Sequence, residues 1–315
     1  MAALFNEPKP RVIALGGPTA TGKTALSVSL AKRFDGEIIS ADSMQIYRGL
    51  DVGTAKITPE EMRGVPHHLL NLLDPEQNFS VADFVAAAQQ KITEITGRGH
   101  LPFVVGGTGL YITSLLNGLA FAPQKTDPAL RQSLRQQAER LGATEMHRRL
   151  AQVDPAYAAA VHPNNLPRVL RALELYETTG RKMSEEREAA KPACPPYRSL
   201  CLCLSCADRA RLYARIDARV ERMMDEGLLR EAKVVYDHRA AYRTAAQAIG
   251  YKEFFPYWEE SAPLQECVAA LQQASRRYAK RQITWFKHQG DAVWLEAEDP
   301  ALFEKASEEV RLFLA

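Results

Sequence analysis

The feature that most constrains the fold of this chain is an octapeptide near its amino end. Residues 17–24 read Gly-Pro-Thr-Ala-Thr-Gly-Lys-Thr and fit the pattern G-x-x-x-x-G-K-[ST]. A strand is predicted before it at residues 12–15, and a helix after it at residues 23–34. In that setting backbone N–H groups and a helix amino end surround an anion, Lys23 adds a positive charge, and Thr24 offers a hydroxyl suited to Mg²⁺. The pattern predicts a diphosphate site without specifying a nucleotide.

Polar or glycine-rich residues also follow two further predicted strands. The strand at residues 37–40 leads to Asp42, and the strand at residues 101–105 leads to Gly-Gly-Thr-Gly at residues 106–109. Alternating strands and helices indicate a parallel α/β sheet, in which ligands bind beyond the carboxyl ends of the strands. Asp42 is therefore a candidate general base or metal ligand, although a turn or helix-cap role also fits it. The glycine-rich segment at residues 106–109, which we call the glycine-rich exit of its strand, is equally compatible with an ordinary tight turn.

The pattern changes to helices alone from about residue 121 to residue 190. Asp127 followed by proline resembles a helix cap with a first-turn proline, and Gly142 and Gly180 mark helix ends. We expect residues 121–190 to form an all-helical insertion domain.

The ranges 1–120 and 191–315 are expected to form one core, a P-loop NTPase-like parallel sheet flanked by helices. A strand at residues 200–204 would return the chain to this sheet. Residues 209–315 are predicted to be mostly helical, with a break near Gly250.

Cysteine and histidine residues are weak candidates for a metal site. Cys201, Cys203 and Cys206 are closely spaced, but the alternating leucines indicate a buried strand that uses cysteine as a small hydrophobic residue. His67 and His68 are adjacent, so they would not face one site on a helix. We expect both groups to be structural.

Composition excludes several classes of protein. With 46% hydrophobic and 25% charged residues, the chain is expected to be globular and not disordered. No apolar run approaches the roughly 18 residues of a membrane helix, and no apolar signal core lies near the amino end. The five cysteines form an odd set without disulfide-type spacing. We expect a cytoplasmic monomer without a membrane role.

Positive charge is concentrated in residues 276–287, which contain five cationic side chains and no acid. At helical spacing Arg277, Lys280 and Arg281 share one face, and aromatic side chains lie opposite. Such a face is either an ordinary solvated surface or a contact for a phosphate backbone. The net charge of +2 does not decide between them, because binding of nucleic acid depends on local clustering.

Taken together, these motifs resemble those of the bacterial tRNA dimethylallyltransferases along nearly the whole chain. The octapeptide matches, with Thr21 where the family usually has Ser. The Leu166-Pro167 pair replaces residues that are usually more polar in the family. The other matching segments are residues 42–47, 51–56, 65–68, 105–111 and 162–164, Arg168, Arg171, Arg215 and Arg219, and residues 250–252 and 280–285.

The resemblance implies transfer of a dimethylallyl group from dimethylallyl diphosphate to the exocyclic amine of the adenosine 3′ of the anticodon in tRNA, with release of diphosphate. It implies catalytic roles for Asp42 as the base, Thr108 beside it and Lys23, with Mg²⁺ as cofactor on Thr24. The implied contacts of the diphosphate are Gly17, Pro18, Thr19, Ala20, Thr21, Gly22, Lys23, Thr24 and Arg219.

The resemblance also implies which residues contact the anticodon stem-loop of tRNA, and Tyr251 among them is a candidate for stacking on a base. The implied contacts are Asp42, Ser43, Met44, Gln45, Thr108, Arg131, Pro167, Arg168, Val169, Leu170, Arg171, Gln247, Ala248, Ile249, Gly250, Tyr251, Lys252, Ser275, Arg276, Arg277, Tyr278, Ala279, Lys280, Arg281 and Gln282.

Two other functions compete with the one that the resemblance implies. A P-loop small-molecule or nucleotide kinase would use the octapeptide and Asp42, but it leaves the basic segment near Arg281 without a function. A P-loop RNA-binding protein without covalent chemistry would use the basic segment, but it does not need a carboxylate at a strand end.

Overall fold

The computed structural model of the protein describes residues 9–121, 127–192 and 194–315. The chain divides into two compact units, Met1–Leu116 with Pro196–Ala315, and Asn117–Pro195. Residues 1–8 and 193 of the expected core and residues 122–126 of the expected insertion lie outside the described residues.

The first unit contains a sheet of six described strands in the order β3-β2-β4-β1-β5-β6, and every neighbouring pair is parallel. The carboxyl ends of all these strands therefore lie on the same side of the sheet. The P-loop-like arrangement predicted from the sequence is confirmed. The strands are β1 (Arg11–Gly16), β2 (Gly36–Ser40), β3 (His67–His68), β4 (Leu101–Val105), β5 (Arg198–Ser205) and β6 (Val293–Glu296).

Helices flank this sheet in the first unit and make up the regular structure of the second. The described helices are α1 (Lys23–Arg33), α2 (Pro59–Met62), α3 (Val81–Gly97), α4 (Gly109–Leu116), α5 (Pro128–Leu141), α6 (Ala143–Val153), α7 (Pro155–Ala160), α8 (Leu166–Thr179), α9 (Met183–Ala189), α10 (Arg209–Asp225), α11 (Leu228–Asp237), α12 (Phe255–Glu259), α13 (Leu264–Lys287) and α14 (Leu302–Leu314), with 3₁₀ turns at Ala245–Gln247 and Lys252–Phe254. None of the described helices is long and apolar enough to cross a membrane.

Both faces of the sheet are buried, as β1 illustrates. Val12 and Ala14 belong to one hydrophobic cluster with residues of α3, α4, α10 and α13, whereas Ile13 and Leu15 belong to another with residues of α1 and α14. A parallel strand buried on both faces must be apolar throughout, which explains why β1 reads as a continuous apolar run.

Two strands were not predicted from the sequence. β6, in the part of the chain predicted to be mostly helical, supplies four residues at one edge of the sheet, and β3 supplies two at the other edge. Edge strands this short carry too few residues for a period-2 pattern to emerge.

The second unit packs its described helices around a core of its own, which includes Leu134, Met146 and Leu150. Asp127 caps α5 by accepting hydrogen bonds from two backbone N–H groups, and α8 ends at Gly180, whose φ of +72° favours glycine. The helix limits read from the sequence at these positions are confirmed.

One carboxylate fixes the long loop that follows β2. Glu231 of α11 accepts hydrogen bonds from the backbone N–H groups of Asp51, Val52 and Gly53 at 2.8–2.9 Å, and from the Tyr251 hydroxyl at 2.8 Å. Tyr251 is fully buried. In this structure the Tyr251 ring is therefore not accessible for the expected stacking on an RNA base, because it packs against Gly53 inside the protein.

Replacing Glu231 by Ala should destabilise the first unit by about 3 kcal/mol, because three backbone donors and a buried hydroxyl lose a charged acceptor. Urea unfolding followed by tryptophan fluorescence measures this unit alone, since Trp258, Trp285 and Trp294 all lie in it. Replacing the exposed Glu260 by Ala is the control and should change stability by less than about 0.5 kcal/mol. Equal effects of the two substitutions would contradict the anchoring role.

Candidate functional site

The loop between β1 and α1 has a shape that requires its glycines. Gly17 has a φ of +128°, and a Cβ there would lie 2.7 Å from the carbonyl oxygen of Leu204 on β5. The Thr21 hydroxyl donates to the carbonyl oxygen of Pro18 at 2.8 Å. The first turn of α1 contains no acid, and its N-cap, Gly22, has no side chain to satisfy the free N–H groups. The loop and the positive end of the helix dipole therefore form a cradle for an anion.

Two half-buried cations line this cradle. The Lys23 Nζ donates to the carbonyl oxygen of Pro18 at 2.6 Å. Burial, reinforced by the positive charge of Arg219 on α10, lowers the pKa of Lys23 to about 7. Burial also lowers the pKa of Arg219. The charge of Asp42 acts on both cations in the opposite sense, raising their pKa values. A bound anion would relieve the repulsion between the cations.

Asp42 follows β2 and forms a turn with the residues after it. Its Oδ1 accepts hydrogen bonds from the N–H groups of Met44 at 2.8 Å and Gln45 at 3.3 Å. The turn role is thus real, but it occupies one carboxylate oxygen and leaves Oδ2 without a hydrogen bond to another described residue. One carboxylate can therefore hold the turn and also accept a proton from a ligand.

Thr108 joins the exit of β4 to the exit of β2. Its Oγ1 accepts from the Ser43 N–H at 3.2 Å, and its own N–H donates to the Ala41 carbonyl at 3.3 Å. Gly106 permits this approach, since a Cβ there would lie 2.2 Å from the oxygen of Ala41. The glycine-rich exit is more than a tight turn, because it fixes the segment that carries Asp42.

The strand order separates Asp42 from the anion cradle. β4 lies between β2 and β1, so the two exits are not adjacent. With strands about 4.8 Å apart, they lie about 10 Å from each other. That separation can accommodate a substrate with an anionic group at one end and a reacting centre at the other.

Gln45 does not have a free side chain, although the resemblance implies that it contacts tRNA. Its Nε2 donates to the carbonyl oxygens of Thr54 and Ala55 at 3.2 and 3.3 Å. Its Oε1 accepts from the Ser40 hydroxyl at 3.2 Å. In this arrangement the amide holds the loop after β2 and is not available to RNA.

The cationic face predicted for residues 276–287 is present on α13. Arg277, Lys280 and Arg281 are exposed. Arg276 differs from them, because it forms an ion pair with Asp217 of α10. We call Arg277, Lys280 and Arg281 the basic stripe.

The opposite face of α13 lies inside the protein. Gln282 is 4% exposed and Ala279 is fully buried, so the RNA contacts implied for their side chains do not fit the structure. Burial, together with the charge of Asp42, raises the pKa of Tyr278 to about 12. This face is therefore turned toward the residues at the ends of the strands.

The second unit pairs two of its implied RNA contacts with one buried acid. Arg131 and Arg171 both form ion pairs with Glu174, which is 3% exposed. Val169 is fully buried, so its side chain is not accessible to RNA. A cavity of about 380 Å³ adjoins the ion pairs and is lined by Arg131, Leu134, Arg135, Leu166, Pro167, Leu170, Arg171 and Glu174.

The 247–252 segment is only partly accessible. Gln247 and Lys252 are exposed, whereas Gly250 is buried with a φ of +110° beside the backbone of Gly53. Gly250 and the buried Tyr251 therefore act inside the fold, and only the two exposed residues remain candidates for direct RNA contact through exposed side chains.

The cysteines and histidines have structural surroundings. The Cys201 and Cys203 sulfurs lie 3.9 Å apart on β5, and Cys203 is buried. His68 hydrogen-bonds to Glu37 at 2.6 Å on the neighbouring strand. Cys206 lies near two glutamates, but one of these, Glu298, pairs with arginines of α10.

A parallel sheet with a glycine-rich loop after its first strand and a carboxylate after its second defines a P-loop-like protein with a candidate phosphate site. A family model described as IPP transferase matches residues 45–289, and one described as Isopentenyl transferase matches residues 10–75. The tRNA dimethylallyltransferase of Bacillus subtilis (strain 168) is 47% identical over 311 residues, which cover 99% of this chain and 98% of that protein. The chain therefore belongs to the tRNA dimethylallyltransferase family, whose members are transferases.

Solved structures agree with this assignment. The full-length tRNA isopentenylpyrophosphate transferase of Bacillus halodurans superposes with a TM-score of 0.70 at 44% identity, covering 97% of this chain and 96% of that one. A eukaryotic dimethylallyltransferase acting on tRNA superposes with a TM-score of 0.78 at 30% identity, covering 96% of this chain and 77% of that one.

The pKa of Lys23 predicts that an anion entering the cradle at pH 8 brings a proton with it. At that pH Lys23 is mostly neutral without ligand, because its pKa is about 7. A bound diphosphate should raise this pKa toward the ordinary value of about 10.4, so uptake of close to one proton is expected. Titration calorimetry of inorganic diphosphate with Mg²⁺, in two buffers of different ionisation enthalpy, measures the uptake once the ligand's own protonation is subtracted.

The uptake assigned to Lys23 should nearly disappear at pH 6, where the free lysine is already charged. It should also be absent from Lys23→Arg, whose guanidinium stays protonated throughout. Affinity for diphosphate should accordingly fall as pH rises above 7 in the wild type more steeply than in Lys23→Arg. Equal proton uptake by the two proteins at pH 8 would show that Lys23 is not the group that titrates.

Proposed function

We propose that this protein transfers a dimethylallyl group from dimethylallyl diphosphate to the exocyclic amine of the adenosine 3′ of the anticodon in tRNA, and releases diphosphate. The observation that carries the proposal is a cationic anion cradle after β1 with the carboxylate of Asp42 two strands away, after β2. Membership in the family supports the same chemistry. The relatives are named tRNA dimethylallyltransferases, and one neighbouring structure is titled as acting on tRNA.

The diphosphate is assigned to residues 17–24 and Arg219. As the bond between the allylic carbon and the diphosphate oxygen breaks, negative charge grows on the departing oxygens. Lys23 and Arg219 already lie at the cradle, where burial lowers the pKa of each. Interactions that strengthen as this charge develops accelerate the reaction and not only binding.

The attacking group is an amine of low nucleophilicity, because its lone pair is delocalised into the adenine ring. The nitrogen forms the new bond to the allylic carbon while Asp42 accepts its proton on Oδ2. Oδ1 keeps the turn in place by accepting from Met44 and Gln45. A general base in this position contributes typically 10²–10⁴-fold. Thr108 is assigned the role of holding this segment beside the substrate.

The residues of the cradle fit a magnesium ion that accompanies the diphosphate. Thr24 lies at the start of α1, and its side-chain hydroxyl has no hydrogen bond to another described residue. Hydroxyl and phosphate oxygens are hard ligands of the kind that Mg²⁺ prefers. When bound, the ion would neutralise part of the charge on the departing diphosphate, and Thr24 is the residue assigned to hold it.

The tRNA is assigned to the exposed cations. In the first unit these are the basic stripe together with Lys252, and in the second unit Arg131 and Arg168, with the half-buried Arg171 beside them. Extruding a base from a single-stranded anticodon loop costs less than extruding it from a duplex, so a loop adenosine suits an enzyme that must reach an exocyclic amine.

Incubation with radiolabelled dimethylallyl diphosphate and unmodified tRNA tests the proposal directly. We expect label to enter tRNA with release of diphosphate, and no transfer from labelled ATP to small molecules or nucleotides in a parallel reaction. Asp42→Asn should bind both substrates but slow the chemical step by about 10²-fold or more, because Asn keeps the Oδ1 acceptor of the turn and loses the base. Transfer from ATP instead would favour the kinase alternative, and a fully active Asn variant would exclude Asp42 as the base.

The basic stripe predicts a salt-dependent contribution to tRNA affinity. Changing Arg277, Lys280 and Arg281 to Ala together should weaken tRNA binding several-fold or more. It should also flatten the dependence of log affinity on log salt by about two to three units, because each phosphate contact releases about one counterion. Binding of dimethylallyl diphosphate should stay within about twofold, since the cradle holds its oxygens.

A matched control removes the same charge from the side of the sheet where the strands begin. Arg11 begins β1, and Lys32 and Arg33 end α1, so all three lie away from the strand exits. Changing them to Ala together should leave the salt slope within about half a unit of the wild type. If the two triple variants lose the same slope, the effect is one of net charge, and the stripe is an ordinary solvated surface.

A further inference from the structure

α13 packs so closely against the ends of the strands that three backbone positions there must be glycine. At each of these glycines, one in β1 and two after β4, a side chain of α13 fills the space that a Cβ atom would need. The distances from the would-be Cβ are 2.5 Å from Gly16 to Phe286, 2.1 Å from Gly107 to the Nε2 of Gln282, and 2.2 Å from Gly109 to Trp285.

Gln282 is the polar member of this contact, and both ends of its amide are engaged. Its Oε1 accepts a hydrogen bond from the Thr19 N–H at 3.0 Å, and its Nε2 donates to the Gly107 carbonyl oxygen at 2.9 Å. The two partners fix which end is oxygen, because one partner can only donate and the other can only accept. A carboxylate, which only accepts, or an apolar side chain of this length could not satisfy both.

The two partners of Gln282 belong to the two halves of the proposed active site. Thr19 is part of the loop assigned to the leaving diphosphate. Gly107 precedes Thr108, whose hydroxyl accepts from Ser43, the residue after Asp42. One amide therefore sets the separation between the cradle and the segment that carries the base.

We propose that Gln282 is a positioning residue, whose amide aligns the diphosphate loop with Thr108 and Asp42 for in-line transfer. This proposal rests on the proposed transferase function. The Thr19 N–H is already used by Gln282, so removing the amide takes no contact from the diphosphate. A misplacement of about 1 Å between reacting groups can cost about 10²-fold in rate. Loss of Gln282 should thus lower kcat and leave substrate binding nearly unchanged.

Gly107 provides an independent way to disturb the same link. A methyl group at Gly107 would lie 2.1 Å from the Nε2 of Gln282, and the other nearby atoms are at 3.4 Å or beyond. Gly107→Ala should therefore displace the amide and reproduce the effect of Gln282→Ala. In the double variant the methyl group enters the space that the amide vacated, so the two effects should not multiply.

The kinetic test compares Gln282→Ala, Gln282→Glu, Gly107→Ala and the double variant of the two alanine substitutions. We expect kcat to fall about tenfold or more in each single variant, with KM for dimethylallyl diphosphate and for tRNA within about threefold. The glutamate variant has nearly the same shape and keeps an acceptor for Thr19, but it opposes the Gly107 carbonyl with a second acceptor. It serves as the main test if the alanine variant does not fold. Gln273→Ala, an exposed change on the same helix, is the control and should stay within about twofold of the wild type.

Three kinetic results would overturn the proposal. They are an unchanged kcat in the Gln282 variants, a rise in KM at constant kcat, and a double variant whose loss equals the product of the single losses. The first and second would make Gln282 an ordinary packing or binding residue. The third would mean that Gly107 and Gln282 act independently.

A second measurement does not depend on the transferase reaction. Hydrogen exchange at the Thr19 amide, followed by NMR, should be about tenfold faster in Gln282→Ala and unchanged in Gln273→Ala, because the amide loses its buried acceptor. Unchanged exchange would refute the link between α13 and the loop. If exchange is faster in Gln282→Ala but the wild-type protein transfers no dimethylallyl group, the proposed function is refuted and the structural link remains.

Discussion

Phe286 and Trp285 of α13 stand where Cβ atoms would lie on Gly16, the last residue of β1, and on Gly109, the first residue of α4. The rest of the site depends on this close approach. It brings one face of the helix onto the loops that carry the anion cradle and Thr108, and it leaves the basic stripe exposed on the other face. A single helix thus serves both the interior of the site and the surface assigned to RNA, and its placement depends on the absence of side chains at a few backbone positions.

The electrostatics of the site follow from burial more than from the number of charges. Lys23 and Arg219 are half-buried in the first unit, where burial lowers the pKa of each, and Asp42 opposes that effect. Without an anion this arrangement is strained by repulsion, and a bound diphosphate would stabilise the folded protein as well as prepare it for reaction. In the second unit Arg131 and Arg171 share Glu174, so these cations are oriented before any ligand arrives.

The octapeptide, the strands β1, β2, β4 and β5, and the helical second unit could be predicted because each has a local signature: a motif, an apolar run or a cap. β3 and β6 could not be, since they are too short to show a period. The burial of Tyr251 and Gln282 could not be predicted for a different reason. Their types suit RNA binding, but burial removes their side chains from solvent, and burial depends on partners far away in the sequence. No spacing rule would have paired Gln282 with Gly107, or Glu231 with Asp51.

The hydrogen bond between Thr19 and Gln282 spans 263 residues of the chain. During synthesis the cradle sequence leaves the ribosome well before α13, the helix that completes it. Contacts this distant in sequence form late in folding. An unfinished chain would thus present phosphate-binding glycines without the amide that sets them in place. Assembly of the reactive centre therefore waits until α13 has been synthesised, and a fragment that stops before this helix lacks the Thr19–Gln282 hydrogen bond.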